Sequence, residues 1–219
     1  MSRHSLALGL WILAVGVSTG CGGGDDAATS SRLARQDMTD GSGTLIQRWT
    51  YAYDGIGYVS EVRGFDSSGT HVTTATFGYE DGRRSGAVTR NPSGTVLSSM
   101  EYTYVDGAPS GYILRTGDGS VFSTGTYLFQ DGRKVRTTRY DPTSAVTGWT
   151  DFAYDPVTGL RTVATSHDAN GGVIGTSTRT YRAGLLQQVT QVAGSNTTYR
   201  TFLYEDGRNV TDPEPFFEF

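Results

Sequence analysis

Polar and apolar positions alternate with period two over most of the chain, and short runs of Asp, Asn, Gly, Pro and Ser reset the alternation at regular intervals. Aromatic side chains mark it best. Seven stretches end on an aromatic marker: Tyr53, Tyr79, Tyr104, Phe129, Tyr154, Tyr181 and Tyr204. Two residues before each marker stand Tyr51, Phe77, Tyr102, Tyr127, Phe152 and Phe202, with Arg179 as the exception. Three before it stand Thr50, Thr76, Glu101, Thr126, Asp151, Thr178 and Thr201. Successive side chains of a strand point to opposite faces, so each stretch reads as a strand with an aromatic face and a Thr-or-acid face. Eight before the marker, and of the same parity, stand Leu45, His71, Val96, Val121, Val146, Val173 and Asn196. Those valines are expected beside the aromatics on the packed side.

The markers recur at steps of 26, 25, 25, 25, 27 and 23 residues, the signature of one supersecondary unit copied with insertions in its loops. Asp-Gly follows the marker at Asp54-Gly55, Asp81-Gly82, Asp106-Gly107, Asp131-Gly132 and Asp206-Gly207. That pair tolerates the positive φ angles of tight hairpins. A return strand comes next, closed by a second turn such as Asp66-Ser67-Ser68-Gly69 or Asn91-Pro92-Ser93-Gly94. The expected fold is all-β: one antiparallel meander of about thirteen strands, built from six two-strand repeats. Each strand pair adds roughly 20° of twist, so the sheet must curl into a spiral or partial barrel with its aromatic face inward.

The phrases Tyr102-Thr103-Tyr104-Val105-Asp106-Gly107, Phe77 to Arg83, Tyr127 to Lys134 and Phe202 to Arg208 resemble the YD-repeat of Rhs proteins, teneurins and insecticidal toxin-complex shells. The resemblance covers about residues 45–208. It implies a continuous spiralling β-sheet with aromatics inside. The period near 25 exceeds the family's usual low twenties, which implies longer strands or looser turns. With six units, a closed shell around a cargo is not expected.

At the N-terminus Arg3 precedes an apolar run from Leu6 to Val17, followed by Ser18-Thr19-Gly20 and the chain's single cysteine, Cys21. The apolar run is too short for a membrane-spanning helix and reads as a cleaved export signal. Thr19-Gly20-Cys21 resembles a bacterial lipobox, which implies lipidation of Cys21, with Ser18 standing where Leu or Val is usual. The expected organisation is a signal peptide at 1–20, acylated Cys21 with a flexible tether to 44, the β-repeat domain at 45–210 and a tail at 211–219. Gly22 after the cysteine implies, by the same resemblance, the outer membrane of a bacterial cell envelope. One cysteine permits no internal disulfide, so the exported domain must rely on hydrogen bonds and packing.

The formal net charge is −4, with 18 Lys plus Arg against 22 Asp plus Glu. With no basic cluster, nucleic acid is not an expected partner. Beyond the export signal, no Gly-x-Ser-x-Gly elbow, His-Glu-x-x-His, phosphate loop or dinucleotide fingerprint is present. His71 falls on the inward parity near a turn, and His167 precedes a turn where exposure is expected. Asp168-Ala169-Asn170-Gly171-Gly172 looks like part of a calcium loop but lacks its later ligands, and a hairpin turn explains it better. No catalytic residue, metal site or cofactor is expected. The repeat itself fails at Arg179 to Gly184, which makes Arg179, Tyr181 and Arg182 the candidate binding residues.

The expected function is a non-catalytic, lipid-anchored envelope protein whose sheet serves as a scaffold or binding surface. Two alternatives are a periplasmic carrier holding a lipid or other hydrophobic ligand on the concave aromatic face, and a glycan-binding surface protein. The expected partners are the membrane, through the N-terminal lipid, and a protein, glycan or hydrophobic ligand.

Overall fold

A computed structural model describes residues 32–182 and 184–204. The expected signal peptide at 1–20, Cys21, the Asp206-Gly207 turn and the tail at 211–219 fall outside them. Fourteen strands follow one another as an antiparallel meander: β1 (Leu33–Asp40), β2 (Leu45–Tyr53), β3 (Val59–Asp66), β4 (His71–Glu80), β5 (Arg83–Arg90), β6 (Val96–Val105) and β7 (Ala108–Thr116) in the first half. The second half comprises β8 (Val121–Gln130), β9 (Arg133–Tyr140), β10 (Val146–Tyr154), β11 (Arg161–Asp168), β12 (Val173–Arg182), β13 (Leu185–Ala193) and β14 (Asn196–Tyr204).

The sheet closes. β1 pairs with β14, Met38 opposite Arg200, and the result is a closed barrel in which every strand neighbours its successor. The open spiral or partial barrel of about thirteen strands is thereby corrected. The missing strand is Leu33–Asp40, in the stretch expected to be a tether. Its Leu33, Gln36 and Met38 are buried, so few large apolar residues suffice when the partner strands supply the rest.

Turn chemistry defines the two ends of the barrel. At one end, Asp81-Gly82, Asp106-Gly107 and Asp131-Gly132 all have positive φ, the pattern of a two-residue type I′ hairpin. Asp54-Gly55 departs from it: Asp54 Oδ1 accepts from the N–H groups of Ile56 and Tyr58, which makes a longer loop. At the other end Asp66 N–H donates to Thr70 O, Gly69 takes φ of 83°, and Asp66 Oδ1 accepts from the N–H groups of Ser68 and Thr70. The same pattern recurs at Asp40, Asn91, Asp141 and Asp168, so the calcium-loop look of Asp168 to Gly172 reflects a hairpin turn.

Bulges interrupt the register in every neighbouring pair except β13 with β14. They add local twist and help a meander to close. They also reset parity. Val96, Val121, Val146 and Val173 pair with Arg90, Arg115, Tyr140 and His167, which belong to the outer face. The valines therefore lie outside the barrel, not beside the aromatics, and Val173 is 62% exposed. His71 is carried outward in the same way, opposite Phe65, with Nε2 within 2.9 Å of Thr73 O and Thr74 Oγ1.

Beyond the bulges the expected polarity holds. Trp49, Tyr51, Val62, Ala75, Phe77, Met100, Tyr102, Leu114, Tyr127, Phe152 and Phe202 occupy inward register positions. The outer face carries Thr50, Arg63, Thr76, Glu101, Thr126, Arg136, Asp151, Thr178 and Thr201.

Candidate functional site

The marker tyrosines have a role that alternation alone does not reveal. Each hydroxyl crosses a strand to donate to the carbonyl at or next to the start of the preceding return strand: Tyr53 to Leu33 O, Tyr79 to Val59 O, Tyr104 to Arg84 O, Tyr154 to Lys134 O, Tyr181 to Arg161 O and Tyr204 to Leu186 O, at 2.7–3.0 Å. Five of these bonds span 20 residues and the last spans 18. The acceptors sit beside the bulges, where the ladder leaves a carbonyl without its regular partner. Copy four has Phe129 at the marker and so has no hydroxyl to donate.

Around the barrel the inner wall divides into two arcs. On the closing arc, Met38, Trp49, Val59 and Val62 form one buried cluster, and Leu33, Leu186, Val189 and Phe202 form another, with Tyr51 packed against both. Tyr51 donates to buried Gln36 Oε1 at 3.0 Å, and burial pushes its phenol pKa far up. Arg200 is also enclosed there, and burial lowers its guanidinium to about 10.

The far arc, β5 to β11, is built differently. Tyr102, Tyr104, Tyr112 and Tyr127 face inward yet remain only half-buried, and Phe129 is 41% exposed. Tyr112 lies opposite Gly125, where a Cβ would come 2.2 Å from the ring, so glycine lets the tyrosine lie flat on the wall. The Tyr127 ring centroid is 6.1 Å from that of Tyr112 and 6.5 Å from that of Phe129. Cations stand among these rings: Lys134 Nζ lies 4.5 Å from the Tyr127 centroid and 5.3 Å from that of Phe152, and Arg161 lies 4.8 Å from the same Phe152 ring. Arg84 stacks over Phe77 at 4.6 Å.

Of the three residues singled out by the break in the repeat, two share the inner face. Arg179 lies opposite Val189, with Nε and Nη1 buried and no hydrogen-bond partner for either among the described residues. Tyr181 is a latch tyrosine packed on the closing arc. Arg182 is exposed at the end of β12, apart from both. Sequence reasoning missed Arg84, Lys134 and Arg161. The available signal was that each begins a return strand shortly after the turn.

Outside the barrel a second cluster gathers on β9 to β11. Arg136 donates twice to Asp151, Trp149 Nε1 donates to Asp151 at 3.2 Å, and His167 stacks on Trp149 with centroids 5.0 Å apart. His167 is thus largely covered, its side chain 17% exposed, rather than free at a turn.

No family model and no curated protein sequence matches the chain. Several solved structures align with it at low similarity. They include a porin-like protein from Bacteroides vulgatus (12% identity, 80% of this chain and 99% of that one, TM-score 0.46) and another from Bacteroides uniformis (14%, 79% and 98%, 0.42). A putative outer membrane lipoprotein-sorting protein domain from Vibrio parahaemolyticus aligns at 11% identity, over 86% of this chain and 91% of that one, with a TM-score of 0.39. At these values the likeness is loose, and the functional reading rests on the walls of the barrel itself.

Proposed function

We propose that the protein is a non-catalytic carrier that holds a hydrophobic or amphiphilic ligand inside its barrel, tethered to the bacterial envelope by a lipid on Cys21. One observation carries the reading: large aromatics on the inside of a closed barrel, Tyr102, Tyr112, Tyr127 and Phe129, remain partly open to solvent. Eight strands already give an interior that side chains can fill, and fourteen give more wall than they can cover. Close backbone approach is confined to ladder neighbours apart from incidental contacts, so the walls stand farther apart than adjacent strands do. A lumen lined by ring faces suits an apolar chain or ring system.

The outer wall argues against a barrel that spans the membrane. Membrane barrels are apolar outside and polar inside. Here the outer face carries Thr, Glu and ion pairs, Arg48 with Asp37 and Arg136 with Asp151, among its exposed valines. With most aromatics directed inward, the outer face keeps Phe65, Tyr140, Trp149 and Tyr199, which the register does not set opposite one another as a glycan platform. The YD-like phrases fit the same picture as structural punctuation: inward rings, latch hydroxyls and hairpin turns.

Native mass spectrometry of the protein purified without detergent tests the carrier reading. A co-purified small amphiphile is the expected result, and a ligand-free barrel that also binds no added amphiphile would end it. Cys21→Ser should release the protein from membranes, and unchanged membrane partitioning would end the anchoring claim.

A further inference from the structure

The wall that would hold the ligand also carries charge, and in the layer next to the Asp-Gly hairpins its sign is uniform. The residue paired with the marker aromatic in the end-A register lies in one layer of the inner wall: Leu33, Val59, Arg84, Pro109, Lys134, Arg161 and Leu186. End A is the end of the barrel with the Asp-Gly hairpins. On the closing arc these residues are apolar: Leu33, Val59 and Leu186. On the far arc they are three cations and a proline. Lys134 and Arg161 both lie about 5 Å from the Phe152 ring.

Acids are arranged in the opposite sense. Asp40, Asp66 and Asp168 occupy inward register positions, but at the other end of the barrel, about 25 Å away along the strands. Each has its Oδ1 engaged by N–H groups of its own turn. Asp37 and Asp151 meet their arginines on the outside.

Arg84 supplies an independent indication. It is 4% exposed; Nη2 donates to the Tyr79 hydroxyl at 2.9 Å, while Nε and Nη1 are buried with no hydrogen-bond partner among the described residues. Buried guanidinium donors left unmet are costly, and the Phe77 face compensates only part of that cost. A negative group in the lumen would supply the missing partner.

We propose that the ligand is anionic: a carboxylate or phosphate seats at the layer of Arg84, Lys134 and Arg161 while its apolar part lies along Tyr102, Tyr112 and Tyr127. This rests on the carrier reading and names the ligand's polar end. Charge-assisted hydrogen bonds and low local dielectric favour an acid over a neutral group of equal length.

Titration calorimetry with decanoate, decyl phosphate and decanol, on the full chain stripped of bound molecules, tests it. At least one acid should bind about tenfold or more tighter than decanol. The stronger acid identifies the head group as carboxylate or phosphate. Lys134→Gln and Arg84→Gln should each narrow the gap between the acids and decanol measured on the same variant. Acids and alcohol binding equally to the unmodified protein would overturn the anionic inference and leave the carrier reading standing. Failure of all three probes to bind would overturn both. The comparison among probes on the unmodified protein keeps the test decisive even if Arg84→Gln does not fold.

Discussion

The closing arc and the far arc are built from the same repeat, yet the first holds both clusters of buried apolar residues while the second leaves several inward rings partly exposed. Both present a marker aromatic and a return-strand residue to the inside at every copy. On the closing arc Leu33, Val59 and Leu186 interlock with Met38, Trp49 and Phe202 until little surface is left. On the far arc Arg84, Lys134 and Arg161 take the corresponding places; Arg84 and Arg161 are themselves buried over the Phe77 and Phe152 rings, while Tyr102, Tyr112, Tyr127 and Phe129 keep exposed area. A single substituted position per repeat thus changes the chemistry of the inner wall from apolar to cationic.

That contrast is sharpest for truncated rings. Phe202→Ala, at 3% exposure, should cost about 3–5 kcal/mol in denaturant unfolding, whereas Phe129→Ala, at 41% exposure, should cost about 1 kcal/mol or less. Equal losses would abolish the distinction between the arcs. The latches give a smaller effect. Tyr104→Phe should lose about 1 kcal/mol by leaving Arg84 O without its donor, and Phe129→Tyr should gain up to about 1 kcal/mol if the new hydroxyl finds its carbonyl. A Phe129→Tyr variant without added stability would show that the far arc is too open at copy four to hold a latch.

The weakest expected effect lies outside. Hydrogen bonds from Arg136, with the charge of that guanidinium, hold the Asp151 carboxyl below its ordinary range. Its folded pKa is depressed, so the pair's stabilisation is present above the ordinary Asp value of about 3.9 and is lost as pH falls through the lower folded value. Because the carboxylate is 38% exposed, the contribution should be at most about 1 kcal/mol. Asp151→Asn should flatten the acid limb of the stability profile slightly, and an unchanged limb would show that the outer cluster contributes nothing.

The meander, the hairpin turns and the inward direction of the aromatics were all legible in the chain, because period-two alternation and Asp-Gly are local signals. Closure was not. It depends on Leu33–Asp40, whose Arg35, Gln36 and Asp37 read as linker until β14 is placed beside them. Bulges were also invisible, since one extra residue leaves no mark in composition, and they carried Val96 and Val173 to the outside. The candidate site was half legible. Arg179 stood out as a lapse in the aromatic column, whereas Arg84, Lys134 and Arg161 sit in a column whose common layer emerges only from the register.

Pairing of β1 with β14 has a further consequence for how the molecule assembles. Every other strand pairing among the described residues joins neighbours along the chain and can form as soon as a hairpin does. The seam alone must bring together residues from the two ends of the described chain, Leu33 beside Tyr204. Such a contact raises contact order and bears the entropy of closing the longest loop. Both clusters of buried apolar residues flank that seam, so a large share of apolar packing sits at the one joint that chain proximity cannot hold.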